Sequence, residues 1–155
     1  MTTEVKVIGG IIFSTFIILT AGVFFLSKDG KAVTEGEVIS SNGLHWHPKL
    51  SIYIKGEKQE IPANVGIGAI HQPIHTHEDN KEGIIHMEMQ GIVAGNQTKL
   101  GKFFQIWSKQ FSSNCLFDKC NGQGGTVRMA VNNNENKDFD NYLMKDGDNI
   151  EIRYD

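Results

Sequence analysis

The sequence predicts an α+β protein: an N-terminal transmembrane helix followed by one small domain in which a single helix packs on a mixed sheet. Three observations predict it. Residues 7–26 are a run of 20 residues without charge or proline. Residues 98–111 are the one stretch whose apolar side chains recur at helical spacing. The remaining apolar residues fall in short alternating or continuous runs separated by Gly- and Asn-rich turns, the pattern of strands.

The apolar run is long enough to span the ~30 Å hydrocarbon core at ~1.5 Å per residue. A cleaved signal peptide has a shorter apolar region, ~7–15 residues, and a small-x-small cleavage site, which Phe24, Phe25, Leu26 and Ser27 do not provide. A buried core helix would show a polar face. The expected organisation is therefore a flank (1–6), a membrane-spanning helix (7–26), a polar tether (27–43) and a domain (44–155). Lys6 precedes the run, and Lys28 and Lys31 follow it, so positive charge alone does not set the orientation. The short N-terminal flank and a single pair of close cysteines favour a domain outside the cytoplasm.

The whole chain has 155 residues and a formal net charge of −3. About 120 residues beyond the run make one domain, large enough for its own core. Lys and Arg are dispersed, so no nucleic-acid partner is expected. The membrane, a metal ion and a protein partner in the membrane are the partners the sequence suggests.

Within the domain, residues 46–54 alternate. Trp46, Pro48, Leu50, Ile52 and Ile54 point one way and His47, Lys49, Ser51 and Tyr53 the other. Gly56, Glu57 and Lys58 read as a hairpin turn that returns through residues 59–63. Residues 65–77 have no period and read as a loop. Residues 83–89 read as a strand. In the helix 98–111, Leu100, Phe103, Phe104, Trp107 and Phe111 form the apolar stripe, with Thr98 as N-cap. Strands at 127–131 and 149–154 follow, with turns at 132–134 and 145–148.

The close of the chain, Lys145-Asp146-Gly147-Asp148-Asn149-Ile150-Glu151-Ile152, resembles that of the small sulfur-carrier proteins of the β-grasp (ubiquitin-like) fold. The resemblance implies the fold only. Those carriers end in Gly-Gly, whereas this chain has Tyr154 and Asp155 there, so sulfur carriage is not expected.

All six histidines lie between positions 45 and 86. They form His45-x-His47, His71, His75-x-His77 and His86. In extended backbone, residues i and i+2 share a face ~6.5–7 Å apart, so each H-x-H pair can converge on one cation at metal–nitrogen distances of ~2.0–2.1 Å. His86 and Glu88 share one face of their strand, opposite Ile85, Met87 and Met89. A loop bearing His75 and His77 over strands bearing His45, His47 and His86 makes a metal cage. Glu78, Asp79 and Glu88 could orient an imidazole or act as ligands themselves. His71 stands apart, and Met87 and Met89 read as core. Imidazoles without thiolate suit copper or zinc. The bland alternative, histidines that merely sit on a surface, applies to each H-x-H pair taken alone.

These motifs resemble a group of uncharacterised membrane-anchored or secreted His-rich proteins of bacteria and archaea. The shared segments are His-x-His-Pro (45–48), Ile-Pro-Ala-Asn-Val-Gly-Ile (61–67), His-Thr-His-Glu (75–78), Gly-Ile-Ile-His-x-Glu (83–88) and Leu-Gly-x-Phe-Phe-x-x-Trp (100–107). The resemblance implies a shared site and no named activity.

Cys115 and Cys120 are spaced C-x4-C. Outside the cytoplasm a disulfide closing a small loop is the expected state, with a redox pair and thiolate metal ligation as the alternatives. Three functions follow from the sequence. One is a membrane-anchored extracytoplasmic copper or zinc carrier, chaperone or sensor. The others are a non-catalytic accessory domain of a membrane complex and a small metal enzyme with Glu78 or Glu88 as base. No H-E-x-x-H, G-x-S-x-G or phosphate loop marks an enzyme, so binding is expected over catalysis.

Overall fold

The computed structural model describes residue 34, residues 36–78 and residues 82–155. The apolar run 7–26 and Asp79 lie outside the described residues. No helix among the described residues is long and apolar enough to cross a membrane.

The described strands are β1 (Val38–Ser40), β2 (Leu44–Trp46), β3 (Lys49–Ile54), β4 (Glu57–Gln59), β5 (Ile74–His75), β6 (His86–Met89), β7 (Val93–Ala94), β8 (Cys115–Leu116), β9 (Lys119–Cys120), β10 (Val127–Val131), β11 (Asn134–Glu135) and β12 (Asn149–Tyr154), with the helix α1 (Leu100–Ile106) between β7 and β8. The architecture is α+β and mostly sheet.

The main sheet has the order β11-β10-β12-β3-β4. At its centre β3 and β12 run parallel in register, from Lys49 beside Asn149 to Ile54 beside Tyr154. Every other pair in this sheet is antiparallel, so the sheet is mixed. A parallel pair needs a long crossover, and the chain between these strands includes α1. Alternation decides which face is buried: Leu50 and Ile52 of β3, Val127, Met129 and Val131 of β10, and Ile150, Ile152 and Tyr154 of β12 all enter the core. Leu100, Phe103 and Phe104 of α1 join the same buried cluster.

Several expectations are revised. The alternating run 46–54 is two strands in two sheets, because the chain leaves the ladder at His47 and Pro48. Proline has no N–H to pair, and the Pro48 carbonyl instead accepts from Ile85 N–H at 2.9 Å. The hairpin turn is Lys55-Gly56, both with positive φ, which brings Ile54 opposite Glu57. The segment 83–89 is a strand only from His86. Gly83 has φ +74, and a Cβ there would run into the Leu50 carbonyl oxygen, so this approach requires glycine.

The helix is shorter than 98–111. Ser108 adopts φ 58 and closes a Schellman cap: Ser108 N–H donates to Gln105 O at 3.0 Å and Lys109 N–H to Phe104 O at 2.9 Å. The helix also begins later than expected. Thr98 is not its N-cap; its hydroxyl donates to Gly95 O at 2.9 Å, within a 3-10 turn over Gly95–Thr98. Lys99 takes the cap position without a side-chain bond, and Leu100 N–H finds Tyr142 O at 2.8 Å instead.

The stretch read as a tether contributes β1, which pairs with β7. The cysteines are joined as a disulfide across the β8–β9 hairpin. That pairing removes both the redox-dithiol and the thiolate-ligand alternatives for Cys115 and Cys120 in this state of the chain.

Candidate metal centre

Three of the histidines, His45, His75 and His86, belong to a second sheet of three strands, ordered β2-β6-β5, and His47 and His77 follow its strands β2 and β5. β6 is its middle strand. Its buried side chains, Met87 and Met89, continue the core together with Ile85 just before the strand and Ile74 of β5. His86 and Glu88 therefore face the other way. Register brings their neighbours to that same face: His45 of β2 stands beside Glu88, and His75 of β5 beside His86.

The expected loop over 65–77 is thus a strand at its end. Ile74 and His75 pair with β6, a two-residue element too short to show a period. His75 is completely buried. Thr76 pins this end of the chain: its hydroxyl donates to Pro62 O at 2.8 Å and accepts from Val65 N–H at 3.0 Å. With Thr76 turned into the protein, His75 and His77 project together.

The rings form one continuous cluster. His86 lies 4.1 Å from His77, 4.9 Å from His47 and 5.7 Å from His75, centroid to centroid. His45 is 4.6 Å from His47, and His75 is 4.9 Å from His77. Two groups bring three potential ligand atoms within 4.8 Å of one another: His45, His47 and His86, and His75, His77 and Glu88. Either group could hold a metal ion.

The protonation chemistry suits this role. His75 Nδ1–H donates to the Gln72 carbonyl at 3.0 Å, since a carbonyl can only accept. In the neutral ring the lone pair is then on Nε2, which faces His77 Nε2 at 3.0 Å. Two nitrogens bound at ~2.0–2.1 Å to a tetrahedral ion stand about 3.3 Å apart, so this pair is close to a chelating geometry before any ion enters. A backbone carbonyl on the far nitrogen is also the usual support of a ligating imidazole. Burial, more than the neighbouring His71 and His77, lowers the pKa of His75. Burial also lowers that of His86, reinforced by His77, His47 and His75. Both rings are thereby held in the neutral form that binds metal.

Glu88 lies at the join of the two groups, with Oε1 3.3 Å from His45 Nε2. Glu78, expected near the site, belongs to neither group. It lines a different cleft with Lys58, Glu60 and Ile61.

No protein-family model, curated protein or solved structure matches the chain. Function is carried by sites and not by folds, and here the site is the histidine face.

Three positioning residues escaped the sequence reading. Gln72 orients His75 through its carbonyl, which no side-chain motif reveals. Asp146 accepts the His47 backbone N–H at 2.8 Å and stands 3.9 Å from its Nδ1, a contact across 99 positions of chain. His71, set apart by its spacing, rests its ring edge-on against His75 at 4.3 Å. The D-G-D segment has a structural role beside this one. Asp148 accepts from Tyr142 Oη at 2.7 Å, Lys145 N–H at 2.8 Å and Asn132 Nδ2 at 3.0 Å, and its carbonyl takes Lys49 N–H at 2.7 Å, at the start of β3.

Proposed function

We propose that this chain is a membrane-anchored metal-binding protein that holds copper or zinc on the histidine face, as a carrier, chaperone or sensor. The observation that carries the proposal is the convergence of His45, His47, His75, His77, His86 and Glu88 on one face of the β2-β6-β5 sheet, in groups with ligand atoms within 4.8 Å. Surface histidines without a role would have no reason to meet from three strands.

Copper or zinc is favoured by the donor set. It is rich in imidazole, and both thiols are committed to a disulfide. Location outside the cytoplasm is supported by that same disulfide, which persists in oxidising compartments. The anchor rests on the length and uncharged character of residues 7–26. Kinship with the β-grasp fold is supported by the helix-bearing crossover between the parallel strands β3 and β12, and kinship with the His-rich anchored proteins by the motifs quoted from residues 45–107.

The test is elemental analysis of the full chain, purified without a histidine tag, before and after stepwise addition of Cu(II) and Zn(II). Stoichiometric uptake at micromolar metal supports the proposal. No uptake of either metal removes it and leaves an accessory or interaction domain as the better reading.

A further inference from the structure

The histidine face presents more donors than one ion takes. A zinc-like ion accepts about four ligands, and here five imidazoles and a carboxylate fall into two groups of three. The middle strand β6 supplies one member to each group: His86 joins His45 and His47, while Glu88 joins His75 and His77. These two residues are two positions apart on one strand, so they rise from the same side of the sheet.

Resting on the metal-binding reading above, we infer that this face is a dinuclear centre. His45, His47 and His86 hold one ion, His75 and His77 hold the other, and the Glu88 carboxylate bridges the two.

Glu88 is the residue placed to link them. It belongs to one group by distance, yet its Oε1 lies 3.3 Å from His45 Nε2 of the other. A carboxylate between two sets of nitrogens can give one oxygen to each ion. Paired ions in proteins stand about 3.5–4 Å apart, where two dications repel strongly unless an anion lies between them. Glu88 provides that charge, and Asp146 beside His47 adds to it. The two groups are also in direct contact, since the rings of His77 and His86 are 4.1 Å apart. With Glu88 bridging, the first ion has four protein donors, and the second has three and keeps a coordination position for water or a small anionic ligand.

The test uses the full 155-residue chain, untagged, kept in mild detergent and stripped with a chelator. It is titrated with Zn(II) alone, and bound zinc is counted after gel filtration. A parallel sample is loaded with Cu(II) for electron paramagnetic resonance. Two equivalents of zinc are expected, with a copper signal dominated by spin coupling between close ions. Glu88→Gln should weaken binding of the second ion by tenfold or more, and His45→Ala should retain one equivalent. Both side chains are exposed, so circular dichroism should be unchanged. One equivalent in the wild-type chain, two equivalents with uncoupled spins, or full two-ion binding by Glu88→Gln would each overturn the dinuclear centre while leaving metal binding intact. No uptake at all would remove both readings.

Discussion

The two larger sheets of this protein are built on different terms. The five-stranded sheet contains its longest strands, an unbroken six-residue parallel register at its centre, and buried side chains strictly alternating with outward ones. The three-stranded sheet has strands of two to four residues, and its outward face carries four of its titratable side chains beside two more histidines at the strand ends. One face of each contributes to the same core. The difference teaches where each property resides. The larger sheet supplies cooperative stability through apolar burial. The smaller one presents imidazoles whose burial, and whose mutual repulsion once protonated, cost stability that the rest of the fold supplies.

That contrast can be broken or sharpened by mutation. The largest effect is expected at Phe103, fully buried under the main sheet's core cluster. Phe103→Ala should cost about 3–5 kcal/mol in urea unfolding, with metal affinity unchanged wherever the variant is still folded. An equal loss of affinity in the folded variant would join the two regions that the contrast separates.

His77→Ala should do the opposite. Metal affinity should fall about 100-fold, close to 2.7 kcal/mol at ~1.36 kcal/mol per decade, with the unfolding midpoint of the metal-free protein nearly unmoved. His47→Ala should act in the same direction. Isothermal titration with Zn(II) measures both. Replacing Cys115 and Cys120 by Ser should cost about 2 kcal/mol of stability in the chain-entropy account of a short loop, and leave metal titration unaltered because the hairpin contributes no ligand. His71→Ala should weaken metal binding by less than tenfold, since His71 only supports His75 by ring contact. Equal effects from His47, His71 and His77 would dissolve the distinction between ligand and neighbour.

Acid should act through the smaller sheet with the least effect on the fold. Folded His75 and His86 have pKa values below the unfolded value of about 6.5. The unfolded chain therefore takes up more protons as pH falls, and stability declines below about pH 6.5 until the folded pKa values are passed. The metal-free protein should show this decline in thermal melts between neutral and mildly acidic pH. The double variant His75→Gln with His86→Gln should lose it.

The sequence was most legible where local pattern and tertiary environment agreed. The strands 127–131 and 149–154 appear over those same residues, because a strand buried on one face writes its period directly into the chain. The opposed faces of β6 were likewise visible in His86 and Glu88 against Met87 and Met89. Legibility failed where long-range contacts governed. The helix stop at Ser108 has no glycine to announce it, and its start is capped by the Tyr142 carbonyl, far along the chain. β1, β5 and β7 are too short to carry a period and exist only because partners lie beside them.

By itself, then, the sequence determined the α+β class, the alternating strands of the main sheet, the apolar run at residues 7–26, and the set of imidazoles from which a site can be made. Each of these is a property of composition or of spacing along a few residues. Only the tertiary structure decided that the run 46–54 is cut at Pro48 and divided between two sheets, that His75 is a buried strand residue and not part of a loop, and that Glu78 belongs elsewhere while Glu88, Gln72 and Asp146 attend the histidines. Those outcomes depend on the register between β2, β5 and β6 and on backbone atoms that no side-chain motif encodes. Pairing distant strands is set by what the whole core can bury.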